Sequence, residues 1–112
     1  LQGQTVQPSI LVAQAKDTKE YDTVVISKAA DTMLAMSGIE ASFVIAKNRQ
    51  GDISISARSR SKINVQRIME ELGGGGHFNL AAARLTDMSL QEAGDKLKTI
   101  ISNELSEKET EE

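Results

Sequence analysis

Two β-rich stretches joined by a five-residue polar turn constrain the fold of this chain more than any other feature. "ASFVIAK" (41–47) is rich in strand formers, "NRQGD" (48–52) carries turn residues, and "ISISARS" (53–59) alternates strictly. Ile53 and Ile55 fall on one face, Ser54 and Ser56 on the other, and Arg58 follows on the serine face. Period-two alternation marks a strand, and two strands across a short glycine-containing loop make a hairpin. The flanking segments must then cover the apolar face of that pair.

The flanks supply candidates. "SILVAQA" (9–15) is a nearly continuous apolar run that reads as a buried strand, and "KDTKEYD" (16–22) reads as a loop. Ser27 to Ser37 turns helical, with Ile26, Ala29, Ala30, Met33 and Leu34 on one face and Gly38 as a stop. Asn64 can cap a second helix whose Val65, Ile68, Met69 and Leu72 fall at i, i+3, i+4 and i+7, ending at Gly73. "AAARLT" (81–86) reads either as a strand or as a helix start. Ser89-Leu90-Gln91-Glu92 is a capping box that opens a last helix, with Leu90, Ala93, Leu97, Ile100, Ile101 and Leu105 as its buried stripe.

The order strand, helix, strand, strand, helix, strand, helix predicts an α/β (α+β) fold. It is a single small domain, with a mixed sheet of about four to five strands packed with about three helices. At 112 residues the chain holds one core. Its aromatics are only Tyr21, Phe43 and Phe78, so aliphatic residues must fill that core, with Met33, Met36, Met69 and Met88 as filling. The expected organisation is a disordered lead-in over 1–8, a folded domain over 9–105 and an acidic disordered tail over 106–112.

Cysteine is absent, which excludes disulfides and thiolate metal sites and fits a reducing compartment. No run approaches the ~18 apolar residues of a membrane span, and no signal-peptide pattern is visible, so a soluble chain is expected. The net charge is −3. Residues 104–112 hold five glutamates against Lys108, a net of −4 that leaves +1 for the rest. Within that rest, "RSRSKINVQR" carries Arg58, Arg60, Lys62 and Arg67 without an acid. Such a cluster is either a solvated basic face or a seat for an anionic partner. The overall acidity argues against a long, non-specific nucleic-acid footprint.

The most costly local feature is "LGGGGHFN" (72–79). One glycine at Gly73 would cap a helix, but Gly74, Gly75 and Gly76 exceed what a cap needs. Either they form a flexible connector, or they let a ligand or another chain lie on the backbone, whose N–H groups can form an anion nest. No Lys-Ser or Lys-Thr follows at Walker spacing, and the run follows a helix, unlike a dinucleotide fingerprint. His77 is the only histidine. Alone, and without cysteine, it builds no conventional metal site, and no nucleophile element accompanies it. A structural role and a hydrogen bond to an anionic ligand both remain open. Arg58 is open in the same way, between a surface ion pair and a phosphate fork.

The pieces in order go further. "ADTMLAMSGIEASFVIAK", then "ISISARSRSKINVQRIMEELGGGGHFNLAAARL", then a closing helix, resemble the DHH-associated C-terminal domain of DHH-family phosphoesterases over about residues 9 to 105. The motifs that carry the resemblance are Ser56-Ala57-Arg58-Ser59, Asn64-Val65-Gln66, and Gly74-Gly75-Gly76-His77 followed by alanines. Their wording most resembles the GdpP-type cyclic-di-AMP phosphodiesterases of Gram-positive bacteria.

That resemblance implies a division of labour. A DHH domain binds two manganese ions and cleaves the phosphodiester, and the associated domain holds the nucleotide. Carried over by motif, Arg58 would hold a phosphate, and Gly74, Gly75, Gly76 and His77 would contact the substrate's phosphate or base. No catalytic or metal residue is expected here, because the chain lacks an Asp-His-His sequence. The resemblance therefore implies a C-terminal piece of a larger enzyme, inactive alone. Ser61 stands where relatives often carry glycine. The implied partners are cyclic-di-AMP or another short nucleotide, the parent's own DHH domain and, as a further candidate, a second copy of the chain. No direct membrane contact is expected. The implied location is a cytoplasmic domain of a parent anchored in the plasma membrane. Two other readings stand beside it: a module binding single-stranded nucleic acid or nanoRNA in a related nuclease, and a structural or dimerisation domain using its glycines for close packing.

Overall fold

The computed structural model describes residues 2–111 and the side chains of residues 8–106. Its elements are β1 (Gln2–Gln7), β2 (Ile10–Gln14), β3 (Glu20–Tyr21), α1 (Thr23–Leu34), β4 (Ala41–Asn48), β5 (Ile53–Ser59), α2 (Val65–Glu71), β6 (Gly75–His77), β7 (Leu80–Leu85) and α3 (Leu90–Glu111). The strands form one mixed sheet in the order β1-β2-β4-β5-β7-β6, with β3 beside β4. β2 and β4 run parallel across the α1 crossover, and the β4–β5 hairpin is antiparallel. The α/β class with three helices is as expected. The sheet is wider than the four to five strands expected, because β1 and the short strands β3 and β6 add to it.

The alternation in β5 places two cores. Ile53, Ile55 and Ala57 join Phe43 and Ile45 against Ile68, Met69, Leu97 and Ile101 of α2 and α3. On the other face Val44 and Ala46 pack against Ile26, Ala30 and Met33 of α1. Ser42 also sits under α1 and donates to the Ala30 carbonyl at 2.7 Å.

Local signals explain most element ends. Asn64 accepts from Arg67 N at 3.2 Å and caps α2. Ser89 and Glu92 exchange reciprocal bonds of 3.1 and 3.2 Å at the start of α3. Four differences from the sequence expectations have physical causes. α1 begins at Thr23, not Ser27, because Asp22 accepts from Val24 N at 2.9 Å. Residues 2–7, expected as a disordered lead-in, form β1 by antiparallel pairing with β2. Residues 106–111, expected as a disordered tail, continue the helical backbone of α3. Met36, expected in the core, lies half exposed after the last turn of α1. "AAARLT", left between strand and helix, is strand β7.

Candidate functional site

The glycine run is built into the fold as a helix stop and then a strand. Gly73 takes φ +83°, its N–H reaches the Glu70 carbonyl at 3.0 Å, and Gly74 N–H reaches Met69 at 2.8 Å. Those two bonds are a Schellman stop for α2. The chain then turns into β6, which pairs Gly75 with Ala82, Gly76 with Ala81 and His77 with Leu80. A Cβ on Gly74 would collide with the Ala82 carbonyl oxygen and lie 2.6 Å from Ala83 Cα. On Gly76 it would lie 2.5 Å from the Leu80 carbonyl oxygen. On Gly75 it would meet nothing within 4 Å. So Gly74 and Gly76 approach β7 too closely for a side chain, whereas Gly75 in β6 has open space where a side chain would be. The flexible-connector reading does not fit a paired strand.

The hairpin tip is pinned. Asn79 Nδ2 donates to Ser59 Oγ at 2.8 Å, Ser59 N–H to the Asn79 carbonyl at 3.0 Å, and Val65 N–H to the Phe78 carbonyl at 2.9 Å. Ser59 Oγ in turn donates to Ile63 at 2.6 Å. His77 is thereby held at a fixed place relative to the end of β5, although its own side chain is exposed.

Strand register brings Arg58 and His77 onto one face. Arg58 pairs with Leu80, and Leu80 with His77. Directly paired residues share a face, and adjacent strands lie ~4.8 Å apart, so the Arg58 and His77 backbones stand roughly 10 Å apart across Leu80. The next row along that face is Ser56, Ala82 and Gly75. This is the α1 side of the sheet. α1 covers β4 and β5, while α2 packs against β6 and β7 from the other side. The β7–β6 part of the α1 side is left open. Leu80 on that face is 52% exposed and Phe78 at the hairpin tip is 43% exposed, so two exposed apolar residues stand beside His77.

Arg58 is 8% exposed, more buried than either sequence reading required. Its Nε donates to Asp31 Oδ1 at 2.7 Å and its Nη1 to the Ala57 carbonyl at 2.9 Å. Nη2 has no hydrogen-bond partner among the described residues. The guanidinium plane is thus fixed through Nε and Nη1, and Nη2 is the nitrogen left to donate to a phosphate oxygen.

The rest of the basic cluster is dispersed. Arg60 donates to the Leu34 and Ile39 carbonyls at 2.7 and 2.8 Å and closes the end of α1. Arg67 pairs with Glu104 at 3.0 Å, tying α2 to α3. Lys62 is engaged as well. The expectation of one anion seat over Arg58–Arg67 therefore narrows to Arg58.

Beside the Arg58 row, between the first turns of α1 and strands β5 and β7, lies a cleft of about 380 Å³ lined by Ser27, Ser54, Ser56, Gly74, Ala82 and Arg84 among others. Of the expected site residues only Gly74 touches it. Sequence reasoning missed Asp31, Asn79 and Arg84. Asp31 and Asn79 act through partners some twenty or more residues away, and the only local cue was the serine parity of β5. Among the described residues no three His, Asp or Glu side chains gather to hold a metal.

The family described as DHHA1 domain matches residues 7–107. The chain is 48% identical over 92 residues to "Cyclic-di-AMP phosphodiesterase GdpP" of Geobacillus thermodenitrificans, covering 82% of this chain and 14% of that protein. It is 49% identical over 90 residues to "Cyclic-di-AMP phosphodiesterase PdeA" of Listeria monocytogenes, covering 80% of this chain and 14% of that protein. Among solved structures, an exopolyphosphatase-related protein from Bacteroides fragilis superposes with a TM-score of 0.72 at 18% identity, over 85% of this chain and 29% of its own. At that identity the likeness shows the fold. The resemblance read from the sequence motifs is borne out, and the chain spans 14% of the length of these GdpP and PdeA relatives.

Proposed function

We propose the following from the premise that this chain belongs to the DHHA1 domain family: its open sheet face is the nucleotide-holding half of a phosphodiesterase whose parent protein hydrolyses cyclic-di-AMP to pApA. The observation that carries the reading is the row Arg58–Leu80–His77, with Arg58 Nη2 and the His77 imidazole on the same face and without hydrogen-bond partners among the described residues. The relatives' described activities supply the substrate class. Arg58 Nη2 holds a phosphate, Gly75 lets the nucleotide approach the backbone, and His77 hydrogen-bonds it. Neither side chain is a nucleophile.

The residues here do not fit a manganese site, so in this proposal the two manganese ions belong to the parent's DHH domain. There they would activate water and clamp the phosphate. Leu80 and Phe78 form the rim on which that domain closes. The parent's plasma-membrane anchor is part of the same proposal. No helix among the described residues is long and apolar enough to cross a membrane.

The test uses the longer natural chain with manganese, assayed on cyclic-di-AMP, pApA and a short RNA, for wild type and His77→Ala. The expected result is preferred cleavage of cyclic-di-AMP and a roughly tenfold to hundredfold lower kcat/KM in the variant. That range follows from losing a charge-assisted hydrogen bond of about 1.5–3 kcal/mol. Preferred cleavage of RNA would move the reading to a nuclease, and unchanged kinetics would remove the role given to His77.

A further inference from the structure

The cleft beside the Arg58 row has walls unlike those of the row itself. Ser54 and Ser56 are 8% and 5% exposed, and both line it. Ser56 Oγ lies 3.3 Å from Ser27 Oγ across the gap between β5 and α1, with either able to donate. Ser54 Oγ accepts from Asn48 Nδ2 at 2.8 Å, which leaves its own proton to donate. Ala82, exposed on β7, gives a flat apolar floor.

The charge in the cleft is already matched. Arg84 reaches Asp52 Oδ2 through Nε at 2.8 Å and Nη2 at 2.7 Å. A neutral wall of hydroxyls that both donate and accept, over an apolar floor, suits an uncharged heteroaromatic ring better than a second phosphate. The volume lies at the low end for small-molecule sites, room for one nucleoside. Along the strands, the Ser56–Ala82–Gly75 row lies two residues, about 7 Å, from the Arg58–Leu80–His77 row.

We infer that this cleft is a base subsite, taking one nucleoside of the nucleotide whose phosphate Arg58 holds, with Ser27 and Ser56 hydrogen-bonding the base edge and Ala82 against its ring. The inference rests on the phosphate role given to Arg58 above but concerns different residues. It therefore fails separately.

The test is an amide chemical-shift titration of the 112-residue chain with AMP, ribose 5-phosphate and adenosine, for wild type and Ala82→Leu. Ala82 is exposed, so the larger side chain fills the cleft without entering the core. The expected result is that AMP shifts Ser54, Ser56 and Ala82 together with the Arg58–His77 row. Ribose 5-phosphate shifts the row alone. Ala82→Leu reduces AMP binding to the strength of ribose 5-phosphate. Identical maps for AMP and ribose 5-phosphate, or AMP binding untouched by Ala82→Leu, overturn the subsite and leave the phosphate reading standing. Adenosine and AMP shifting the cleft with the row silent keep the subsite and overturn the phosphate reading. Inorganic phosphate competing for the cleft residues would make it an anion site and overturn the inference. No response to AMP up to its solubility overturns both.

Discussion

The four adjacent glycines offer a sharp test, because the structure assigns them different reasons for being glycine. Gly74→Ala puts a methyl into the Ala82 carbonyl oxygen and 2.6 Å from Ala83 Cα. Backbone on both sides must move, so the cost lies at or above the upper end of the 1–3 kcal/mol usual for overpacking, about 3 kcal/mol. Gly76→Ala meets backbone at 2.5 and 2.6 Å and adds φ +145°, so it should cost as much. Gly73→Ala has open space but φ +83°, a left-handed position that costs roughly 1–2 kcal/mol for a residue with a Cβ. Gly75→Ala has neither penalty, and it should gain up to about 1 kcal/mol because alanine loses less entropy in a strand. At roughly 4 °C per kcal/mol for a domain of this size, thermal unfolding should show losses near 12 °C for Gly74→Ala and Gly76→Ala, and 4–8 °C for Gly73→Ala. Gly75→Ala should show no loss. The assay is calorimetry on the four single variants. A Gly75→Ala loss equal to that of Gly74→Ala would refute the strand register, and four neutral variants would refute the close approach of β6 to β7. Gly75→Ala also separates packing from recognition, since its methyl enters the open face and should weaken nucleotide binding without lowering Tm.

Arg60→Ala removes two charge-assisted bonds at the end of α1 and should cost about 1–2 kcal/mol in urea unfolding, with nucleotide affinity unchanged. A double-mutant cycle of Asp31→Ala with Arg58→Met should give a coupling of about 1 kcal/mol, limited because Asp31 is 62% exposed. A value near zero would show that the pair does not hold the guanidinium. The salt dependence of mononucleotide binding should be shallow, with a slope on the order of one ion, because a single guanidinium, through Nη2, meets the phosphate on that face. A slope of several ions, measured by titration at rising salt, would show that the dispersed basic cluster acts together.

The elements legible in the sequence were those with local signals. Asn64 and the Ser89–Glu92 box stand within three residues of the N–H groups they cap, and the β5 alternation needs no partner to be seen. What escaped depends on pairing. "QGQTVQ" carries no strand pattern and is ordered by β2, and the glycines of β6, poor strand formers, are ordered by β7. The start of α1 was obscured by Val24 and Val25, 57% and 50% exposed on what should be its polar side. The site was half legible for the same reason. Arg58 takes its face from β5 alone, but His77 reaches that face only through the β6–β7 register, which sequence does not show.

The two side chains of the row are also prepared differently, and this bears on how a nucleotide is gripped. A free arginine side chain carries about 2 kcal/mol of rotamer entropy. In Arg58 that freedom is already lost on folding, to Asp31, the Ala57 carbonyl and burial. Ordering it therefore costs little at the moment of binding, which is the advantage of a preorganised group. His77 has the opposite condition: a pinned backbone and an exposed ring without a hydrogen-bond partner among the described residues. In the proposed role the arginine would define where a phosphate sits, and the imidazole would adjust to what arrives with it. Lysine could not replace Arg58 on these terms. It offers no planar fork to satisfy Asp31, Ala57 and a ligand at once, and its ammonium would be nearly buried under α1 with a single carboxylate in reach.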